Sequence, residues 1–154
     1  KKIENGDFVL IDMGVIIDGY CSDITRTFLI GEGTEQQMEM YETVLQAVQK
    51  AIDAVKVGDP IGSVDRAARK HIEDRGYGQY FNNRVGHGLG LEVHEAPSVH
   101  GENQLKICPG LLFTIEPGIY IPGVTGVRIE DDVYVNKDGQ VEILTSYPKQ
   151  LQKL

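Results

Sequence analysis

The 154-residue sequence has few cysteines, a shortage of basic residues and no long hydrophobic run. Its two cysteines, Cys21 and Cys108, have neither the spacing of a zinc site nor that of a redox motif. So few cysteines favour a reducing compartment, and we expect a cytoplasmic protein. The formal charge of −8 argues against nucleic acid and anionic membrane surfaces as partners. No apolar run reaches the length of a membrane span, so we expect no membrane association.

The length suits one domain with a sizeable core, and 41% hydrophobic with 25% charged residues is ordinary for a globular protein. Alternation and turn residues predict a first hairpin followed later by a run of strands. The predicted strands span residues 7–13, 20–30, 111–116, 126–135 and 140–144.

Two helices are predicted between the hairpin and the later strands. The first begins at the capping-box pair Thr34 and Gln37 and runs towards Gly58. The second runs from about residue 60 or 63 to Arg75, and we interpret its His71 as a structural residue. A strand pair, two helices and a run of strands predict an α+β fold with the helices on one face of an antiparallel sheet.

Three aspartates stand in residues 10–28, which otherwise read as two strands, although aspartate is depleted in strands. Asp18 is explained by the glycine that follows it, because Asp-Gly favours the type I′ turn of a hairpin. With this pair at the tip, Asp12 and Asp23 are diagonal neighbours on one face. Their charges repel, and a cation between them would relieve this. The alternative is that both are solvated on an exposed face.

The stretch 76–110 is rich in Gly, Asn, Pro and His and is too long for an idle connection, which predicts a functional segment. It contains VGHGLGLEVHEAP, where His87 and His94 are seven residues apart. The glycines around them let the backbone bend and allow close approach. The zincin motif is absent, because Ser98 stands where its second histidine would be. By themselves these histidines could equally be hydrogen-bonded loop residues.

Two glutamates belong to predicted strands. Glu116 ends the strand in FTIEPG, and Glu130 shares a strand face with Arg128 in GVRIEDD, although Glu130 alone would also suit a solvated face. Two aspartates, one or two histidines and two glutamates would together make a dinuclear metal site. Mixed carboxylate and imidazole ligation favours Mn²⁺, Fe²⁺, Co²⁺ or Zn²⁺ over Ca²⁺ and Mg²⁺.

Several segments resemble one known family: LIDMG with DGY and SDITRTF, VGHGLGLEVHE, PGLLFTIEPGIYIPG, and GVRIEDDVYV. They are similar to the catalytic domain of Xaa-Pro dipeptidases (prolidases) and aminopeptidase P. The resemblance implies a pita-bread (creatinase/aminopeptidase-like) fold, with a curved antiparallel sheet and helices on its outer face. It also implies that residues 1–154 are a metallopeptidase catalytic domain, truncated at the N-terminus, from the C-terminal portion of a longer protein.

The resemblance implies a set of five metal ligands. Asp12 would hold one ion, His87 and Glu116 would hold the other, and Asp23 and Glu130 would bridge the two. The ions would most simply be Mn²⁺ or Co²⁺, with Zn²⁺ or Fe²⁺ as alternatives. Hydrolysis would proceed by a metal-bridging hydroxide.

The resemblance further implies that Glu116 is the general base and that His94 donates a hydrogen bond to the substrate or the tetrahedral intermediate. Arg128 would orient Glu130 or another carboxylate. Asn83 stands where the family often has histidine, and a further family histidine would precede residue 1. We therefore expect an altered set of substrate contacts and weak hydrolysis by this chain alone.

These residues are compatible with three functions. The first is hydrolysis of Xaa-Pro bonds in dipeptides or short peptides, with aminopeptidase P activity on longer peptides as its variant. The second is a non-catalytic pita-bread module that binds peptides or proteins, and the third is a creatinase-like hydrolase that needs no metal. The intact ligand positions favour the first, with a short proline-containing peptide as substrate. An uncovered sheet edge would favour a homodimer.

Overall fold

The order of elements follows the predicted α+β pattern in a computed structural model that describes all 154 residues. The helices are α1 (Glu35–Asp53) and α2 (Gly62–Asp74), with a 3₁₀-helix at Gly78–Tyr80. The strands are β1 (Phe8–Met13), β2 (Ile16–Ile17), β3 (Tyr20–Cys21), β4 (Ile24–Leu29), β5 (Gly86–Gly88), β6 (Glu95–Val99), β7 (Leu112–Ile115), β8 (Gly118–Ile121), β9 (Thr125–Arg128), β10 (Asp131–Val135) and β11 (Val141–Ile143). They form a five-stranded antiparallel sheet, ordered β11-β10-β7-β5-β6, and three two-stranded antiparallel pairs, β1-β4, β2-β3 and β8-β9.

The first hairpin has the register that its turn predicts. Asp18 and Gly19 have φ values of 51° and 86°, and a type I′ turn requires positive φ at both positions. In β1, Asp12 pairs with Thr25, which continues the register of the β2-β3 tip. The predicted strand 20–30 is wrong in one respect, because it is divided into β3 and β4. At the break, the backbone N–H of Val15 donates to the side-chain hydroxyl of Ser22 and not to a backbone carbonyl of the facing strand.

Replacing Gly19 with alanine should lower the free energy of unfolding by about 1–2 kcal/mol, because a residue with a Cβ is strained in the left-handed region. A methyl group there would meet no other atom within 4 Å, so the effect is conformational and not a clash. Urea unfolding measures it. Asp18→Asn is the control and should change stability by less than about 0.5 kcal/mol, since asparagine tolerates this conformation. Equal midpoints for both variants would contradict the turn assignment.

Both helices begin close to where the sequence predicts. The Thr34 hydroxyl accepts a hydrogen bond from the Gln37 N–H at 3.2 Å, and the Gln37 side chain accepts one from the Thr34 N–H at 2.8 Å. This is the predicted capping box. The predicted end of α1 at Gly58 is wrong, because the helix ends at Asp53. The chain beyond it hydrogen-bonds to the segment near Ile107, while Val55 stays buried in the core.

The apolar core lies between the helices and the strands. Helix α1 packs against α2 and against β7, β8 and β9, and α2 packs against β6. Fully buried side chains from both layers include Met40, Phe113 and Ile129. The helices therefore cover an apolar face of antiparallel strands, as the sequence predicts. Neither helix combines the length and the apolar character that crossing a membrane requires.

The later strands are more divided than the sequence predicts. The stretch 76–110 contains β5 and β6, and the predicted strand 126–135 consists of β9 and β10, which pair with different neighbours. At the break between them, the backbone N–H of Glu130 donates to the Thr25 carbonyl at 3.1 Å. Strand β7 ends at Ile115, directly before Glu116, and the chain continues from Gly118 as β8.

Candidate metal centre

Three buried side chains from separate parts of the chain meet at one point. Asp23 directly precedes β4, His87 lies in β5, and Glu130 directly precedes β10. One potential ligand atom from each lies within 4.8 Å of the others. All three belong to the predicted ligand set. Carboxylates with an imidazole are a donor set that divalent transition metals bind.

Glu116 adjoins this cluster from the end of β7. Its Oε1 lies 3.2 Å from the Nε2 of His87. The other ring nitrogen of His87 lies 3.1 Å from the Gly88 carbonyl oxygen, an arrangement that leaves Nε2 facing the carboxylates. The Thr114 hydroxyl links the two residues, because it accepts from the His87 N–H at 3.1 Å and donates to Glu116 at 3.3 Å.

Asp12 lies at the exposed edge of the site. Its carboxylate accepts a hydrogen bond from the guanidinium of Arg128. It lines a pocket of about 370 Å³ together with Asp23 and His94. Asp12 and Asp23 therefore reach the same space, as the hairpin register predicts, although Asp12 does not belong to the buried cluster of three.

Arg128, at the end of β9, connects the edge of the site to its buried part. It donates to the Tyr120 hydroxyl at 2.8 Å and to the Thr25 hydroxyl at 3.3 Å. The Thr25 hydroxyl in turn donates to Glu130 at 2.5 Å. Arg128 thus contacts Asp12 directly and Glu130 through one intervening hydroxyl. Sequence reasoning did not identify Thr25 or Tyr120, since no motif distinguishes these hydroxyls.

Asp131 and Asp132 also support the site, and the sequence analysis missed both. The Asp132 carboxylate accepts from the backbone N–H of Asp23 at 3.0 Å, and burial raises the pKa of Asp132 to about 6. Asp131 forms a buried ion pair with Arg26 at 2.8 Å, and Arg26 also donates to the Glu130 carbonyl. Two successive aspartates at the start of an apolar strand were a usable signal, because aspartate is depleted in strands.

His94 is exposed and lies directly before β6. Its ring centroid is 4.2 Å from that of His87, with the ring planes at 61°. Because His94 also lines the pocket beside the aspartates, its ring can contact a molecule bound there.

Burial, and then the charges of neighbouring carboxylates, raise the pKa of two acidic residues of the site. Burial raises the pKa of Glu130 to about 8, and the charges of Glu116, Asp23 and Asp12 add to this rise against the opposing hydrogen bond from Thr25. Burial, followed by the charge of Asp12, raises the pKa of Asp23.

A metal cation fits both the donor atoms and the charge of the site. Burial would lower the pKa of His87, but its hydrogen bonds to Glu116 and the Gly88 carbonyl, with nearby carboxylates, raise it overall. Of the four carboxylates in the predicted set, Arg128 binds Asp12 and lies 3.9 Å from Glu116, whereas neither Asp23 nor Glu130 forms an ion pair with a lysine or arginine. Buried carboxylates without paired cations are costly, and divalent ions would offset that cost.

Comparison with known proteins identifies the family. Residues 1–137 match the family model described as metallopeptidase family M24. A candidate dipeptidase of Bacillus subtilis, YkvY, is 57% identical over 149 residues, which are 97% of this chain and 41% of that protein. The chain thus spans about two fifths of the length of the curated relatives that it matches.

Solved structures show the same fold. An Xaa-Pro dipeptidase from Bacillus anthracis matches with a TM-score of 0.95 and 46% identity, over 100% of this chain and 43% of that one. An X-Pro aminopeptidase from Thermotoga maritima matches with a TM-score of 0.93 and 40% identity, over 99% of this chain and 43% of that one. The α+β pita-bread fold class predicted from the sequence is therefore confirmed. With a family match over residues 1–137, the chain belongs to metallopeptidase family M24.

Proposed function

We propose that residues 1–154 form the catalytic domain of a two-metal peptidase that hydrolyses Xaa-Pro bonds in dipeptides or short peptides. The observation that carries this proposal is the buried cluster of Asp23, His87 and Glu130, whose ligand atoms lie within 4.8 Å of one another. Such a cluster is costly to bury without a cation. Family membership supports peptide hydrolysis, and the likeness to a protein named as an Xaa-Pro dipeptidase supports the bond type.

Five side chains would hold the two ions. His87 and Glu116 would bind one ion, Asp12 would bind the other, and Asp23 and Glu130 would bind both. Carboxylates with one imidazole favour Mn²⁺ or Co²⁺, with Zn²⁺ or Fe²⁺ as alternatives. When bound, a metal pair supplies a water that is activated at neutral pH and polarises the scissile carbonyl.

The remaining chemistry falls to side chains of this chain. Glu116 has one oxygen 3.2 Å from His87 and the other 3.9 Å from Arg128, and its side chain is partly open to solvent, so it can accept a proton from the attacking water. His94 reaches the pocket and can donate a hydrogen bond to the reacting carbonyl oxygen. Arg128 holds Asp12 and, through Thr25, Glu130.

The proposal is tested by measuring metal content beside Xaa-Pro hydrolysis, on this chain and on a version extended at its N-terminus. Two ions per chain with hydrolysis of an Xaa-Pro dipeptide would support it. Two ions without hydrolysis in either version would favour the peptide-binding module instead. Hydrolysis in the presence of a chelator would favour the metal-free creatinase-like alternative, and a chain that binds fewer than two ions would overturn the proposal.

Aminopeptidase P activity is a second candidate, favoured by the similarity to the X-Pro aminopeptidase of Thermotoga maritima. Comparing an Xaa-Pro dipeptide with a longer Xaa-Pro peptide separates the two. Preference for the longer peptide would assign the chain to this candidate.

His94→Ala should lower kcat by on the order of 100-fold, because a hydrogen bond to developing negative charge is lost. The metal content should stay unchanged, since His94 is not among the five proposed ligands. Steady-state kinetics and metal analysis of the same sample measure both effects. His100→Ala, which removes another exposed histidine, is the control and should change neither. Metal loss in the His94 variant would place that residue among the ligands.

Cellular location and assembly are also proposals. Cys21 and Cys108 are unpaired, which supports a reducing compartment such as the cytoplasm. Ile16, Ile17 and Tyr20 at the hairpin tip are exposed apolar side chains, which supports association into a homodimer. Sedimentation equilibrium of the purified chain measures its oligomeric state.

A further inference from the structure

Two charged residues of α2 form an ion pair away from the metal centre. Asp65 is 1% exposed, and both of its carboxylate oxygens accept hydrogen bonds from Arg69 at 3.0 Å. The cost of removing both charges from water largely offsets the attraction in such a pair, so it is weak evidence for a role in stability. The other groups that the pair binds are a better guide to its role.

The pair holds the segment that leads into β5. Arg69 donates to the carbonyl oxygen of Phe81 at 3.0 Å and to that of Asn83 at 2.9 Å, and its guanidinium lies 4.1 Å from the centre of the Phe81 ring. Asp65 accepts from the backbone N–H of Val85 at 3.1 Å. Three peptide groups of residues 81–85 are therefore fixed to one face of α2.

From Val85 the path to the metal centre is short. The Val85 carbonyl accepts from the backbone N–H of Glu116 at 2.7 Å, and His87 follows two residues later. Between them, Gly86 approaches β7 so closely that a Cβ would lie 1.9 Å from the Thr114 carbonyl oxygen. Because this contact leaves no free space, a displacement of Val85 would also displace His87 and Glu116.

We propose that Asp65 and Arg69 are positioning residues for one of the two metal ions. They fix the position of His87 relative to Glu116, and the His87 Nε2 lies 3.2 Å from the Glu116 Oε1. Asp12, assigned to the other ion, is held by Arg128 on β9 instead. This inference rests on the proposed two-metal function. It requires that loosening the Asp65–Arg69 pair weakens binding of one ion and spares the other, whereas a merely structural pair would affect both ions alike.

The test is a Co²⁺ titration of Asp65→Asn, followed by calorimetry and by the visible absorption of the bound ion. Asparagine keeps one acceptor for the Val85 N–H but loses the charge and the two-pronged contact with Arg69. Affinity for one ion should fall by about 10- to 100-fold, the usual effect of losing a group that orients a metal ligand. The affinity for the other ion should stay within about twofold of that of the unmodified chain.

Asp74→Asn is the matched control. It removes the charge of Asp74 from the Lys70–Asp74 pair, which has the same i,i+4 spacing on the same helix but consists of two solvent-exposed side chains. We expect both binding steps of this variant to equal those of the unmodified chain.

The outcomes separate this inference from the proposed function. An unmodified chain that binds fewer than two ions contradicts the proposed function itself. If it binds two, then unchanged binding by Asp65→Asn, or an equal loss at both steps, overturns the inference. Should Asp65→Asn fail to unfold cooperatively, Arg69→Lys replaces it. Lysine keeps the charge opposite Asp65, but its three N–H donors on one nitrogen cannot replace the four hydrogen bonds that Arg69 makes, so the same loss of one ion is required.

Discussion

Glu130→Ala should abolish the binding of both metal ions, whereas His87→Ala should mainly weaken one. Glu130 is 2% exposed, and its ligand atom lies within 4.8 Å of those of both Asp23 and His87. In the proposed site it contributes an oxygen to each ion, so its removal affects both at once. His87 contributes to a single ion, beside Glu116. Asp23→Ala should match Glu130→Ala, since Asp23 is the other proposed bridge.

Metal analysis after equilibrium dialysis against Mn²⁺ or Co²⁺ measures the stoichiometry of each variant. Glu142→Ala, which removes an exposed glutamate on β11, is the control and should bind as many ions as the unmodified chain. Circular dichroism of the metal-free proteins checks that each variant is folded. The same number of bound ions in the Glu130, Asp23 and His87 variants would contradict the bridging assignment.

The aspartate pair was predictable because its placement depends on local structure alone. Asp18 and Gly19 fix the turn, the turn fixes the register, and the register places Asp12 and Asp23 on one face. Nothing beyond residues 8–29 is needed for this result. The capping box at Thr34 was predictable for the same reason, since both partners lie within one helical turn.

The surroundings of Glu130 could not be predicted from the sequence. Arg26 and Thr25 donate hydrogen bonds to Glu130, from which they are separated by 104 and 105 positions in the sequence. Sequence patterns are read within short windows, so they contain no information about such contacts. The same limit concealed the break between β9 and β10, where β4 supplies the hydrogen bond to the Glu130 backbone. Strand β5 is only three residues long and mostly glycine, so it shows no periodicity.

Asp65 illustrates a different limit. The apolar stripe of α2 was visible at helical spacing, but a buried aspartate beside that stripe reads as an ordinary exposed position. Its burial follows from the segment 81–85, which packs over it and is bound by Asp65 and Arg69. The connection from α2 to the metal centre was therefore apparent only from the folded structure.

Glu116→Gln should lower kcat for an Xaa-Pro dipeptide by on the order of 1,000-fold, with a much smaller change in KM. Glutamine has nearly the same size, and its carbonyl oxygen can still accept the hydrogen bond from the Thr114 hydroxyl. The bond from the Glu116 N–H to the Val85 carbonyl is unaffected, because it involves the backbone. The amide cannot take up a proton, so the substitution removes an interaction of the transition state and lowers kcat.

Because Glu116 is also a proposed ligand, the assay must separate the two roles. Kinetics are measured in a version of the chain that shows activity, at metal concentrations where added Mn²⁺ or Co²⁺ has no further effect. Metal content is determined in the same sample, and Glu102→Gln, an exposed glutamate away from the cluster, is the control. Activity restored by excess metal would show that Glu116 acts only as a ligand. A raised KM with unchanged kcat would show that it serves substrate binding, and either result would remove it from proton transfer.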